Sequence, residues 1–110
     1  MATDMAPTVP AWVDSDPGWA AALHVLQAPV LQAKGVMRFV DFDGRGIDFA
    51  ELRRRAGPWS GGERTLLAAA GALFGGLPGC DLRDVLSDLD DDNLRRVLDA
   101  IARYRTRSGC

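Results

Sequence analysis

Two stretches of this chain carry residues whose types and spacing could do chemistry. The first is Asp41-Phe-Asp43-Gly-Arg45-Gly46-Ile-Asp48-Phe-Ala-Glu51-Leu52, which has the look of a calcium loop. A working loop needs oxygen ligands at positions 1, 3 and 5, a glycine at 6 and a bidentate glutamate at 12. With Asp41 at position 1, Asp43 stands at 3 and Gly46 at 6, but Arg45 stands at 5, Glu51 at 11 and Leu52 at 12. A cation occupies a ligand position and the bidentate acid is one residue early. Calcium binding is not expected, because a hairpin turn followed by a capped helix accounts for every residue of the stretch.

The second is Ser60-Gly61-Gly62-Glu63-Arg64, which reads like the signature segment of an ATP-binding cassette. A Ser-Gly-Gly helix start can hold a phosphate, since unpaired N–H groups and the helix dipole favour anions. Nucleotide hydrolysis also needs a Gly-rich loop with Lys and Ser/Thr. The one lysine, Lys34, is followed by Gly35 and Val36 and lies in no such loop. Glu63 would itself occupy the helix-start donors and repel a phosphate, so a capping role is expected instead.

Other chemistry finds little support. Cys80 and Cys110 have neither zinc spacing nor a disulfide framework and read as two thiols. His24, the sole histidine, lies among Ala22, Leu23, Val25 and Leu26 and reads as a structural helix residue. Nothing in sequence links it to Cys80 as a base. No enzyme activity and no cofactor are expected.

Composition bounds the rest. The 110 residues make one small domain, 47% hydrophobic and 25% charged, with enough apolar content for a core. No apolar run approaches a membrane span and no secretory pattern opens the chain, so a cytoplasmic protein is expected. The formal net charge of −2 conceals a gradient. Residues 65–92 hold one Arg against six Asp, a balance of −5, and residues 93–110 hold five Arg against one Asp, a balance of +4.

The elements that must position these residues are read from caps and periodicity. Residues 1–15 show no periodicity and are expected to form a disordered arm, residues 16–105 one α-rich domain, and residues 106–110 a frayed end. The fold class expected is mainly α: about five helices with one short β-hairpin at about 36–48. Asp16-Pro17 opens the first helix and Pro29 ends or kinks it. Val36 to Asp41 is β-prone and Asp43 to Gly46 turns it back. Asp48 and Glu51, then Ser60 and Glu63, are spaced as capping boxes. The chain's two glutamates thus both stand at the position where a longer reach is needed. Gly57-Pro58 separates the two helices, and Gly75-Gly76 closes the second. In that helix Ala68 to Ala72 offers a small-residue surface to another backbone. Asp81 and Asp90 cap two further helices, the last facing inward with Leu94, Val97, Leu98, Ile101 and Tyr104.

The run from Ile47-Asp-Phe through Pro58-Trp-Ser-Gly-Gly-Glu-Arg64 to Phe74, with Leu89-Asp-Asp-Asp-Asn-Leu94 after it, resembles short uncharacterised bacterial proteins. In those proteins a Trp-Ser-(Ser/Gly)-Gly-Glu-Arg segment opens a central helix. The resemblance implies a compact α-rich fold and brings no activity, cofactor or site. Trp59 and Arg64 hold the two staple positions, where a cation–π contact could replace the usual apolar pair.

The function expected is a small accessory protein that binds another protein, or itself as a homodimer. Its large apolar residues Trp12, Trp19, Trp59, Phe39 and Met37 would serve as anchors. The candidate interaction residues are Trp12, Trp59, Arg64, Arg103 and Arg105. The alternative is a nonspecific nucleic-acid binder using the C-terminal arginines. The last two helices are spaced like a helix-turn-helix, but Asp90, Asp91 and Asp92 would meet the phosphates.

Overall fold

The computed structural model describes residues 9–75 and 81–107. The expected closing glycine at Gly76, both cysteines and most of the expected frayed end lie outside those residues. Among the described residues the chain forms six α-helices and a two-stranded antiparallel hairpin. The helices are α1 (Pro17–Leu26), α2 (Pro29–Gln32), α3 (Phe49–Arg55), α4 (Gly61–Gly75), α5 (Leu82–Asp88) and α6 (Asp91–Arg107). The strands are β1 (Val40–Asp41) and β2 (Gly46–Ile47), with Val40 opposite Ile47 and Asp41 opposite Gly46.

The helix starts follow the side-chain chemistry. Asp16 accepts from Trp19 N at 3.1 Å, with Pro17 in the first turn of α1. Asp81 caps α5 through Asp84 N and Asp90 caps α6 through Asn93 N. Ser60 and Glu63 form a complete capping box: Glu63 N donates to Ser60 Oγ at 3.2 Å, and Ser60 N donates to Glu63 Oε1 at 3.0 Å. The Asp48 box is only half made. Glu51 N donates to Asp48 Oδ1, but Asp48 N goes to Phe39 O and the Glu51 carboxylate turns to Arg54 and Arg55. The hairpin has already taken Asp48 N, and the carboxylate gains two guanidinium partners, pairs in which both groups are ionised.

α1 is the centre of the fold and packs against both α4 and α6. Its Ala21, Ala22, Val25 and Leu26 are fully buried with Leu31, Leu52, Leu66 and Ala70. Small residues set the spacing. A Cβ on Gly18 would lie 2.7 Å from Phe74 O, so α1 meets the end of α4 backbone to backbone. The Ala/Gly surface of α4 is largely consumed here, with Ala69, Ala70 and Gly71 buried inside the domain.

Four expectations are corrected. Val36–Phe39 is a 3₁₀ turn and not the start of a strand, because Gly35 enters it at φ +74° and Val36 turns fully into the core. Ala11–Ser15 is also a 3₁₀ turn with Val13 buried, so residues 9–15 belong to the domain and not to a disordered arm. α6 runs on to Arg107, past the expected end of order at 105. Finally, α6 buries Val97 and Ala100, while Leu98, Ile101 and Tyr104 face outward.

Candidate interaction surface

The calcium-like and cassette-like stretches both work as scaffolding. In the first, Asp41 Oδ1 accepts from Gly44 N at 3.0 Å and Asp48 caps α3. Arg45 sits at φ +55°, and its guanidinium stacks over the Trp12 ring at 4.3 Å. The cation that spoils the ligand set therefore ties the hairpin turn to the N-terminal segment. Among the described residues no three His, Cys, Asp or Glu side chains gather as a metal would require.

In the second stretch Arg64 does not stack on Trp59. Its Nη1 donates to Gly57 O at 3.1 Å and to Trp59 O at 2.6 Å, closing the α3–α4 corner. The cation over the Trp59 ring is Lys34 at 5.7 Å, whose Nζ also lies 3.5 Å from Glu63 Oε1. The N–H of Ser60, with Lys34 beside it, holds the Glu63 carboxyl below its ordinary value. Trp59 is half-buried against the core and Arg64 is exposed.

The remaining residues named from sequence lie apart. Trp12 is half-buried, edge-on to Trp19 at a ring separation of 5.0 Å. Trp19 is only 4% exposed, so it anchors the core and not an interface. Met37 and Phe39 are half-buried against the core. Arg103 and Arg105 are exposed on α6. Their neighbour Arg96 is spent internally, donating to His24 O at 3.0 Å.

His24 is largely buried with one ring nitrogen unsatisfied. Its side chain is 16% exposed, and Nε2 lies 4.0 Å from Asp99 Oδ2. That is too long for a hydrogen bond, and Nε2 finds no partner among the described residues. Burial lowers its pKa below 6.5, Arg103 and Arg96 push the same way, and Asp99 only partly offsets them. A folded-state pKa below the unfolded one means that the unfolded chain binds the proton more readily. The contribution to stability is whole above about pH 6.5 and declines as pH falls through the folded-state value. Denaturant midpoints measured from pH 7.5 downward should show this decline, and His24→Gln should flatten it. An unchanged slope in the variant would assign the decline to carboxylates instead.

The surface that sequence reading missed lies on α6 and beside it. Leu98, Ile101 and Tyr104 are 55%, 44% and 42% exposed, three residues apart along one helix. Leu94, half-buried, continues the row by one turn toward the start of α6. Ile101, Tyr104 and Arg105 form one wall of a groove of about 530 Å³, and Ala72, Leu73 and Phe74 from α4 form the other. Leu82 and Leu86 of α5 are more exposed still, while Val85 on the same helix and Leu89 just after it are buried. Sequence held one signal for this row. α6 has more large apolar residues than a single buried stripe needs, so some must face outward.

Comparison with protein-family models, with curated proteins and with solved structures finds no match to this chain. Among the described residues no helix is long and apolar enough to cross a membrane.

Proposed function

We propose that this chain is a small non-enzymatic accessory protein of the cytoplasm that acts by binding another protein, and that α6 carries the contact surface. The contiguous exposed row Leu98, Ile101 and Tyr104, beside the α4 groove, carries this reading. Exposed apolar residues scattered singly are ordinary, whereas a contiguous row rimmed by charges suits a protein contact. Full burial of a Leu or Ile side chain is worth about 1.5–3 kcal/mol, and roughly half of that is unrealised at Leu98 and Ile101. A partner that covers the row would supply it. Half-buried Trp59 and exposed Arg64 form a second corner, but both are already engaged in closing the fold.

The nucleic-acid alternative has less support. Arg54 and Arg55 are paired with Glu51, and Arg96 is held at His24 O.

The test is capture of a partner from the native host by immobilised protein. The double variant Leu98→Asp with Ile101→Asp should lose that partner while keeping its helical circular dichroism. Equal recovery by both proteins would place the contact elsewhere.

A further inference from the structure

We infer that His24 is an acid-sensitive latch between α1 and α6: when its ring takes up a proton, α6 loosens its hold on α1 while α3 and α4 keep their packing. The inference stands apart from the protein-binding reading above.

α6 is held lightly for its length. It buries Val97 and Ala100, keeps Leu94 half-buried and turns Leu98, Ile101 and Tyr104 outward. Elements with little buried apolar surface open at lower cost than the domain as a whole. Beside that contact runs a polar seam. Asp92, Arg96, Asp99 and Arg103 follow at spacings of four, three and four, which puts them on one stripe of α6. The His24 ring lies against this stripe, with Asp92, Arg96 and Asp99 around one cleft and Arg103 across a second. Arg95 borders the first cleft, and Asp14 of the opening turn borders the second. α1 itself carries no Asp, Glu, Lys or Arg. No residue of α3 or α4 lines either cleft, which confines the effect to the α6 joint.

With a neutral ring the stripe is balanced, two carboxylates against two guanidinium groups. A proton upsets that balance. Nε2 is enclosed and has no hydrogen-bond partner among the described residues, so the new charge would sit away from water. Arg96 cannot retreat without giving up its 3.0 Å bond to His24 O, and Arg103 adds a second like charge. The opposing attraction comes from Asp99, 4.0 Å from Nε2, but that side chain is 64% exposed and its charge is screened by solvent. The lowered pKa of the ring agrees: burial, then Arg103 and Arg96, outweigh Asp99.

Release of α6 returns the ring to its ordinary value near 6.5, so the opened form binds the proton more readily. Docking is at full strength above about pH 6.5 and weakens as pH falls toward the docked-state value. Opening adds Val97 and Ala100 to the outward row of Leu98 and Ile101, so acid enlarges the apolar surface that the chain presents.

Amide hydrogen exchange of the full chain, followed by mass spectrometry from about pH 7.5 to about pH 5 and corrected for intrinsic rates, reads the latch. Protection of α6 should fall severalfold relative to α3 and α4 as pH drops below about 6.5. His24→Gln should abolish this fall. Arg103→Gln, at an exposed position, should shrink it, and Asp99→Asn should enlarge it. A merely structural role for Arg103 or Asp99 would shift protection equally at every pH. Protection lost equally from α3, α4 and α6 would overturn the inference, as would a fall that survives His24→Gln or a protection of α6 that rises in acid. Where His24→Gln does not fold, the opposite responses of the other two variants decide the matter, and unaltered pH profiles in both would sink the latch.

Discussion

Replacing Trp19 by alanine should lower the free energy of unfolding by about 3–5 kcal/mol. The indole is almost wholly buried and joins four separate segments. Its ring lies 5.0 Å from Trp12 and 5.4 Å from Phe74, both edge-to-face, and 5.8 Å from Phe42. The opening turn, α1, the hairpin turn and α4 therefore meet at one side chain. Alanine would leave a cavity among aromatic neighbours that cannot all collapse into it. A small domain has only about 5–15 kcal/mol in total, so the loss is a large fraction of the whole. Urea denaturation followed by far-UV circular dichroism would measure it. Trp12→Ala should cost distinctly less, since that ring is half in solvent. Equal losses at the two positions would contradict the central place given to Trp19.

Gly18→Ala should also destabilise, by about 1–3 kcal/mol, although alanine is the better helix former. Helix propensity alone favours the change by about 1 kcal/mol. The new methyl, however, would stand 2.7 Å from Phe74 O and 3.3 Å from Leu73 O. Both are backbone atoms and cannot swing aside, so α1 and α4 would have to separate. Gly61→Ala is the matched control: a Cβ there meets nothing within 4 Å. That substitution should be neutral or stabilise by up to about 1 kcal/mol. If Gly18→Ala raises stability as Gly61→Ala does, the close approach of the two helices is wrong.

Local rules and tertiary rules divide what the sequence made legible. Asp16, Asp48, Ser60, Asp81 and Asp90 all cap the helices expected of them, because a cap is decided within four residues. The hairpin turn was legible for the same reason. Val36–Phe39 was not. Its β-prone side chains are overruled by Gly35 and by the core position of Val36, and neither competes within the segment itself. Trp12 was expected on a disordered arm as an interaction anchor, because its contacts with Trp19 and Arg45 are brought together only by folding. On α6 the error was one of size. A reading by hydrophobicity puts Leu98 inside ahead of Ala100, yet close packing against an alanine-rich α1 selects the smaller residue. That misplacement hid the candidate contact row, since residues expected inside are not sought on the surface.

The central position of α1 has a consequence for how the chain is made. α1 precedes α2 to α6 as the ribosome extends the chain, yet its burial depends on α4 and α6, which come off much later. Until then a helix of mostly alanine, leucine and valine has no cover of its own, and the indole of Trp19 waits for Phe74. Folding is therefore deferred until the C-terminal helix has left the exit tunnel. A nascent chain stalled before α6 should be readily cut by protease within α1, and one released after Arg107 should resist.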